Sequence, residues 1–164
     1  MRVHGTAIAL LPPGPPLADR TVTGKAVLIR GESGAGKSDL ALRCIGLAPC
    51  AAIPWQATLV CDDQVQLTAQ SSGLYVGAID SIFGKLEVRG VGLIAVGAVR
   101  TAPLALIVDL TGRRELIERL PEDERINIEG YAVRRISLYP FDASASHKLL
   151  LALTSSPLPQ RCAA

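Results

Sequence analysis

Residues 26–45, AVLIRGESGAGKSDLALRCI, constrain the fold more than any other stretch of this 164-residue chain. A β-branched apolar run enters a glycine-rich turn, and the turn opens a segment whose apolar residues Leu40, Ala41, Leu42 and Ile45 recur at helical spacing. The predicted order is strand, loop, helix. Gly31, Gly36, Lys37 and Ser38 match the pattern G-x-x-x-x-G-K-[ST]. In such a loop, here Gly31, Glu32, Ser33, Gly34, Ala35, Gly36, Lys37 and Ser38, backbone N–H groups cradle phosphates, the lysine reaches the outer phosphates and the hydroxyl ligates Mg²⁺. The helix that follows turns its positive N-terminal end toward the same anion. A nucleotide site is therefore expected, with the Lys37 ammonium at the surface.

The length suits a single domain, predicted over residues 1–153, with a frayed tail over 154–164 that carries two prolines. Half the residues are hydrophobic (49%) and only 4% aromatic, so the core is expected to be Leu, Val, Ile and Ala, and global disorder is excluded. A net charge of +2, without a basic run or interleaved aromatics, gives no argument for nucleic acid. Cys44, Cys50, Cys61 and Cys162 form no C-x-x-C pair, and His4 and His147 are far apart, which argues against zinc. A phosphate loop implies a reducing interior, so buried free thiols are expected rather than disulfides. The first residues make a poor signal peptide, and the most apolar window, 91–110, is broken by Arg100, Pro103 and Asp109. It reads as two buried strands in a soluble cytoplasmic protein that uses no membrane.

Along the chain, residues 3–11 are expected to form a first strand and 12–19 a proline-rich loop. The central helix should span 38–47, with Trp55 beyond it a packing residue. Residues 57–61 and 65–68 read as strands, and Ser71-Ser72-Gly73 as a hairpin turn into 74–78. Residues 83–92, with three glycines and Lys85, Glu87 and Arg89, look like a functional loop. Strand 104–108, a helix over 113–120 stopped by Pro121, an exposed charged stretch over 122–130, strand 131–138 and a helix over 144–153 follow. The class is α/β with a mixed sheet, because a hairpin does not suit a purely parallel one.

Beyond the loop, the chemistry sits in carboxylates. LVCDD puts Asp62 and Asp63 at the carboxyl end of a strand, the edge where open α/β sheets bind ligands. Adjacent residues on extended backbone face opposite sides, so one can meet Mg²⁺ and phosphate while the other is buried or paired. Asp109, at the end of LALIVD, is a rival for the metal, since an apolar strand ending in Asp holds Mg²⁺ in many phosphate-loop enzymes. Spacing leaves that choice open.

GESGAGKSDLAL, LVCDDQVQL and LEVRGVGLI, in this order, resemble the catalytic domain of HPr kinase/phosphorylase, which phosphorylates a serine of the phosphocarrier protein HPr. The likeness spans about residues 4–120, is most specific at 86–94, and suggests the short form without the family's N-terminal domain. It implies a phosphate-loop fold related to phosphoenolpyruvate carboxykinase, a hexamer, and ATP and Mg²⁺ as cofactors. Position by position it makes Asp63 the base for the serine hydroxyl, Lys37 the phosphate-neutralising charge, Ser38 and Glu87 the Mg²⁺ ligands and His4 an active-site histidine. Arg119 in IERLP matches the family's arginine, with Arg113, Arg114 and Arg125 as alternatives for stabilising the transferred phosphate. The family's R-P-G-R-N-like segment is replaced by LYPFDASASHK at 138–148, which keeps Pro140 but lacks both arginines before His147 and Lys148. Little phosphorylase activity is expected in consequence. A non-enzymatic nucleotide sensor and a small-molecule kinase remain alternatives, and no N-K-x-D stretch supports a GTPase.

Overall fold

A computed structural model of the chain describes residues 1–12 and 24–162. The elements are β1 (Arg2–His4), β2 (Thr6–Leu11), β3 (Ala26–Arg30), α1 (Lys37–Ile45), β4 (Gln56–Cys61), β5 (Gln64–Gln70) and β6 (Gly73–Gly77). They continue with β7 (Lys85–Val88), β8 (Gly92–Ala95), β9 (Thr101–Leu110), β10 (Glu124–Ile128), β11 (Tyr131–Leu138), α2 (Ala145–Ser155) and β12 (Gln160–Arg161). The main sheet runs β1-β5-β6-β9-β3-β2-β4, and β11 adds to β9 with β10 and β12 beside it. β9 pairs in parallel with β3 and β11, and the other pairs are antiparallel, so the sheet is mixed as expected. Most of the proline-rich loop falls outside the described residues.

The central strands are apolar without alternation because both of their faces are covered. On one face, Ile8, Val27, Ile29, Leu106 and Val108 pack under Leu40, Ala41 and Cys44 of α1 and Leu149 and Leu153 of α2. On the other, Ala7, Ala9, Leu28 and Ile107 meet Val65, Leu67, Leu74 and Val76 of the β5–β6 limb. Trp55 packs at the edge of the first cluster. Residues 3–11 read as one strand in sequence, but the chain changes partner at Gly5, pairing with β5 before it and with β3 and β4 after it. A side chain at Gly5 would stand 2.7 Å from the Ile29 carbonyl oxygen, so only glycine fits this crossing.

Four expectations are corrected. Residues 113–120 form a single 3₁₀ turn at Arg114–Leu116 instead of a helix. Leu120 is 92% exposed, and with no core to receive its apolar face so short a helix has nothing to stabilise it. The window 91–110 is not two buried strands, since β8 belongs to a separate β7–β8 hairpin with Val91 and Leu93 exposed, and β9 runs straight through Pro103. Residues 155–162 are docked rather than frayed: Ser156 is buried, β12 pairs with β11, and Lys25 Nζ donates to the carbonyls of Thr154 and Ser156 at 3.1 and 2.6 Å. All four cysteines are free, but only Cys44 and Cys61 are buried, and Cys50 and Cys162 are exposed. Burial pushes the Cys44 thiol up to about 12, against a smaller opposing pull from Arg43.

The exposed stretch 122–130 also carries a strand the charges concealed. Glu129 and Gly130 both take positive φ (52° and 83°), a two-residue turn that folds β10 onto β11. No helix among the described residues is long and apolar enough to cross a membrane.

Candidate active site

The loop between β3 and α1 forms the floor of a cavity of about 400 Å³. Gly36, at φ 91°, is the left-handed residue that aims the first turn of α1 into it. Ser33, Gly34, Gly36, Lys37 and Ser38 line the cavity, while Gly31, Glu32 and Ala35 build the turn behind them, closed by Ala35 N–H donating to the Glu32 carbonyl at 3.1 Å. Lys37 is not at the surface. It is 7% exposed, and its Nζ donates to the carbonyls of Gly31 and Glu32 at 3.0 and 2.8 Å, exchanging water for the loop's own acceptors.

The two aspartates after β4 part company at a bend, not on the extended backbone the sequence suggests. Asp62, 6% exposed, faces inward and gathers three segments of chain. Its Oδ1 accepts from Thr6 Oγ1 at 2.6 Å and from Ser38 Oγ at 2.9 Å, and its Oδ2 accepts from the Glu87 backbone N–H at 3.3 Å. Asp63 has φ 66°, a conformation that aspartate tolerates better than most residues, and its side chain is 71% exposed at the cavity mouth. The partner change at Gly5 brings His4 alongside, with Nδ1 3.4 Å from Asp63 Oδ1, and Gly5 N–H donates to the Asp63 carbonyl at 3.1 Å.

Asp109, the rival carboxylate, does not line the cavity. Arg30 holds it with two bonds of 2.7 Å and Arg135 with one of 2.5 Å, so the carboxylate joins β3, β9 and β11. Burial works to raise its pKa, but the hydrogen bonds and charges of the two guanidiniums outweigh burial and leave it lowered.

Glu87 lines the cavity, as does Arg89, which sequence reasoning passed over as part of a loop. The signal was available: strand alternation puts residues two apart on one side, so Glu87 and Arg89 of LEVRG share a face. A side chain on Gly34 would meet Arg89 Nη2 at 3.9 Å. Arg119 does not line this cavity. Arg114 is spent on Asp142 at 2.9 Å, and Arg125 on Asp123 at 2.9 Å. Lys148 likewise pairs with Asp142 at 2.6 Å, and its hydrogen bond, with the charge of Arg114, keeps the Asp142 carboxyl below its usual pKa.

The family model of the HPr Serine kinase C-terminal domain matches residues 20–139. The chain belongs to that family. Curated HPr kinase/phosphorylases of Bordetella pertussis (strain Tohama I) and Geobacillus sp. (strain WCH70) are 35% identical over 128 residues and 33% identical over 121 residues. These alignments cover 71% and 69% of this chain but only 39% and 35% of the relatives, so the likeness is to one domain of a longer protein. The Hpr(Ser) kinase/phosphatase of Coxiella burnetii shares the fold, with a TM-score of 0.65 over 94% of this chain and 88% of that one at 23% identity. The family match starts after His4, so the case for this histidine rests on its position beside Asp63.

The cavity suits the groups that such a kinase domain would need. Ser38, Asp62, Asp63 and Glu87 offer hard oxygen donors, the ligand type Mg²⁺ takes. Among the described residues no three of His, Cys, Asp or Glu cluster as a ready-made metal cage.

Proposed function

We propose that the chain is a Mg·ATP-dependent protein serine kinase whose acceptor is the phosphocarrier HPr. The observation that carries this reading is the exposed Asp63 carboxylate at the mouth of the cavity whose floor holds Lys37 and Ser38. A sensor that only binds nucleotide has no use for a carboxylate presented outward over the phosphates.

Bound Mg²⁺ and ATP supply the phosphoryl group and neutralise part of its charge. Asp63 then accepts the proton of the acceptor serine as its oxygen attacks the terminal phosphorus and the bond to the departing diphosphate breaks. His4, 3.4 Å away, orients that carboxylate. Lys37 exchanges its loop carbonyls for phosphate oxygens, and Arg89 takes the clamping role first assigned to Arg119. Ser38 and Glu87 would hold the Mg²⁺, and Asp62 fixes the Ser38 hydroxyl from behind. A cytoplasmic setting, where ATP is at hand, goes with this reading.

Phosphorylase activity is weak in this proposal. The segment that would carry two arginines has Tyr139 to Asp142 instead, and Lys148 and Arg114 beside it are both committed to Asp142. The test is incubation with labelled ATP, Mg²⁺ and purified HPr, then mapping of the label. A labelled serine that disappears with Asp63→Asn supports the reading, and no transfer to HPr under conditions where ATP binds overturns it.

A further inference from the structure

Phe141 is one of only two phenylalanines in the chain, and it is 60% exposed. It is not a loose surface residue. Its ring lies in the wall of the cavity, with Cε1 and Cζ at 3.6 and 3.7 Å from where a Cβ on Gly36 would stand. Tyr139 meets it edge to face, centroids 5.5 Å apart at 76°. The turn that carries it is fastened at both sides. Arg43 Nη2 of α1 donates to the Pro140 carbonyl at 2.6 Å, and Asp142 is gripped by Arg114 and Lys148. Leu42, one turn along α1, lines the same cavity, so an apolar region continues from the phosphate floor along the helix.

Aromatic area that remains wet after so much anchoring gains nothing for the fold, since only burial rewards it. Its position instead suits a flat apolar group attached to whatever the loop holds. We propose that Phe141 is the face on which the base of the bound nucleotide stacks, making Tyr139 to Asp142 a base-binding segment in place of the missing arginine clamp. This rests on the nucleotide-binding reading above. A ring face grips any base through its π-surface and reads no edge, so the segment would demand that a base be present without choosing which.

The experiment compares Mg·ATP with Mg·tripolyphosphate, which has the phosphates and no base, by titration calorimetry on the parent, Lys37→Ala, Phe141→Ala and Phe141→Trp. The parent should bind ATP more tightly than tripolyphosphate, and Phe141→Ala should weaken ATP by roughly tenfold, the scale of one base stack, with tripolyphosphate unchanged. Phe141→Trp should restore ATP affinity, with indole fluorescence that ATP quenches and tripolyphosphate does not. The stacking proposal is overturned if ATP affinity survives Phe141→Ala, if both ligands weaken equally in that variant, or if the parent binds the two alike. Because Lys37→Ala should weaken both ligands, a Lys37-dependent site indifferent to Phe141 leaves the nucleotide reading standing and removes only this one. A parent that binds neither ligand removes both.

Discussion

The inner wall of the cavity and its rim are built from nearly the same residue types and treat them in opposite ways. Asp62 is buried and saturated with donors from β2, α1 and the β7–β8 hairpin, whereas Asp63, its sequence neighbour, stands exposed with one histidine beside it. Lys37 is folded in and hydrogen-bonded, whereas Arg89 lies open on the rim. The inner groups are held by the protein's own hydrogen bonds, at the cost of being unable to meet a macromolecule. The outer groups can reach an acceptor serine because little else holds them. A carboxylate's neighbours, more than its identity, thus separate an organising role from a chemical one.

That contrast can be broken by substitution, the largest effect first. Lys37→Ala should cut ATP turnover by about a hundred- to a thousandfold, the scale for losing one charge-stabilising group, while circular dichroism stays native. Turnover at the parent level would remove the phosphate-loop assignment. Asp63→Asn should lose about a hundredfold or more in transfer with nucleotide affinity and melting temperature unchanged, since an amide keeps the shape but cannot take the proton. If Asp109→Asn is the more damaging to transfer, the carboxylates have been assigned the wrong way round.

Thr6→Val probes the inner wall through stability instead of rate. Losing one hydrogen bond to a buried carboxylate should lower unfolding free energy by about 1–2 kcal/mol, where Asp63→Asn costs nothing measurable in urea melts. Equal costs for the two would erase the distinction between wall and rim. Glu87→Gln should raise the Mg²⁺ concentration needed for half-maximal transfer by several-fold, because a neutral amide oxygen is a poorer ligand for a hard dication. Superimposable Mg²⁺ titrations would take Glu87 out of the metal site.

The smallest effect is the acid response of Asp109. Its pKa is lowered in the folded state, so its contribution to stability is complete above the ordinary carboxylate range, about pH 4, and is lost as pH falls through the lowered value. Urea midpoints should therefore drop less between pH 7 and pH 3 for Asp109→Asn than for the parent. The same acid loss in both would mean that Arg30 and Arg135 do not stabilise the carboxylate.

Local pattern alone determined β3, the glycine loop and α1, because each depends on spacing within a few residues; Asp62 and Asp63 part as expected, but through a bend with Asp63 left-handed instead of through strand alternation. Glu87 and Arg89 were equally legible as one strand face, although only Glu87 was taken up. Residues 113–120 show the limit of such pattern: Leu116, Ile117 and Leu120 keep helical spacing, yet Leu116 and Leu120 stand exposed and no α-helix forms. Only the tertiary structure set His4 beside Asp63, across 59 residues of sequence, through a crossing at Gly5 that no periodicity announces. It alone withdrew Asp109 by pairing it with two arginines from neighbouring strands, and it alone carried Phe141 to the loop 105 residues before it. The physical reason is common to all three. Periodicity reports which face of an element is apolar, whereas the partner of a charge or a ring is whatever the sheet order brings within a few ångströms, and that order is chosen by the packing of the whole core.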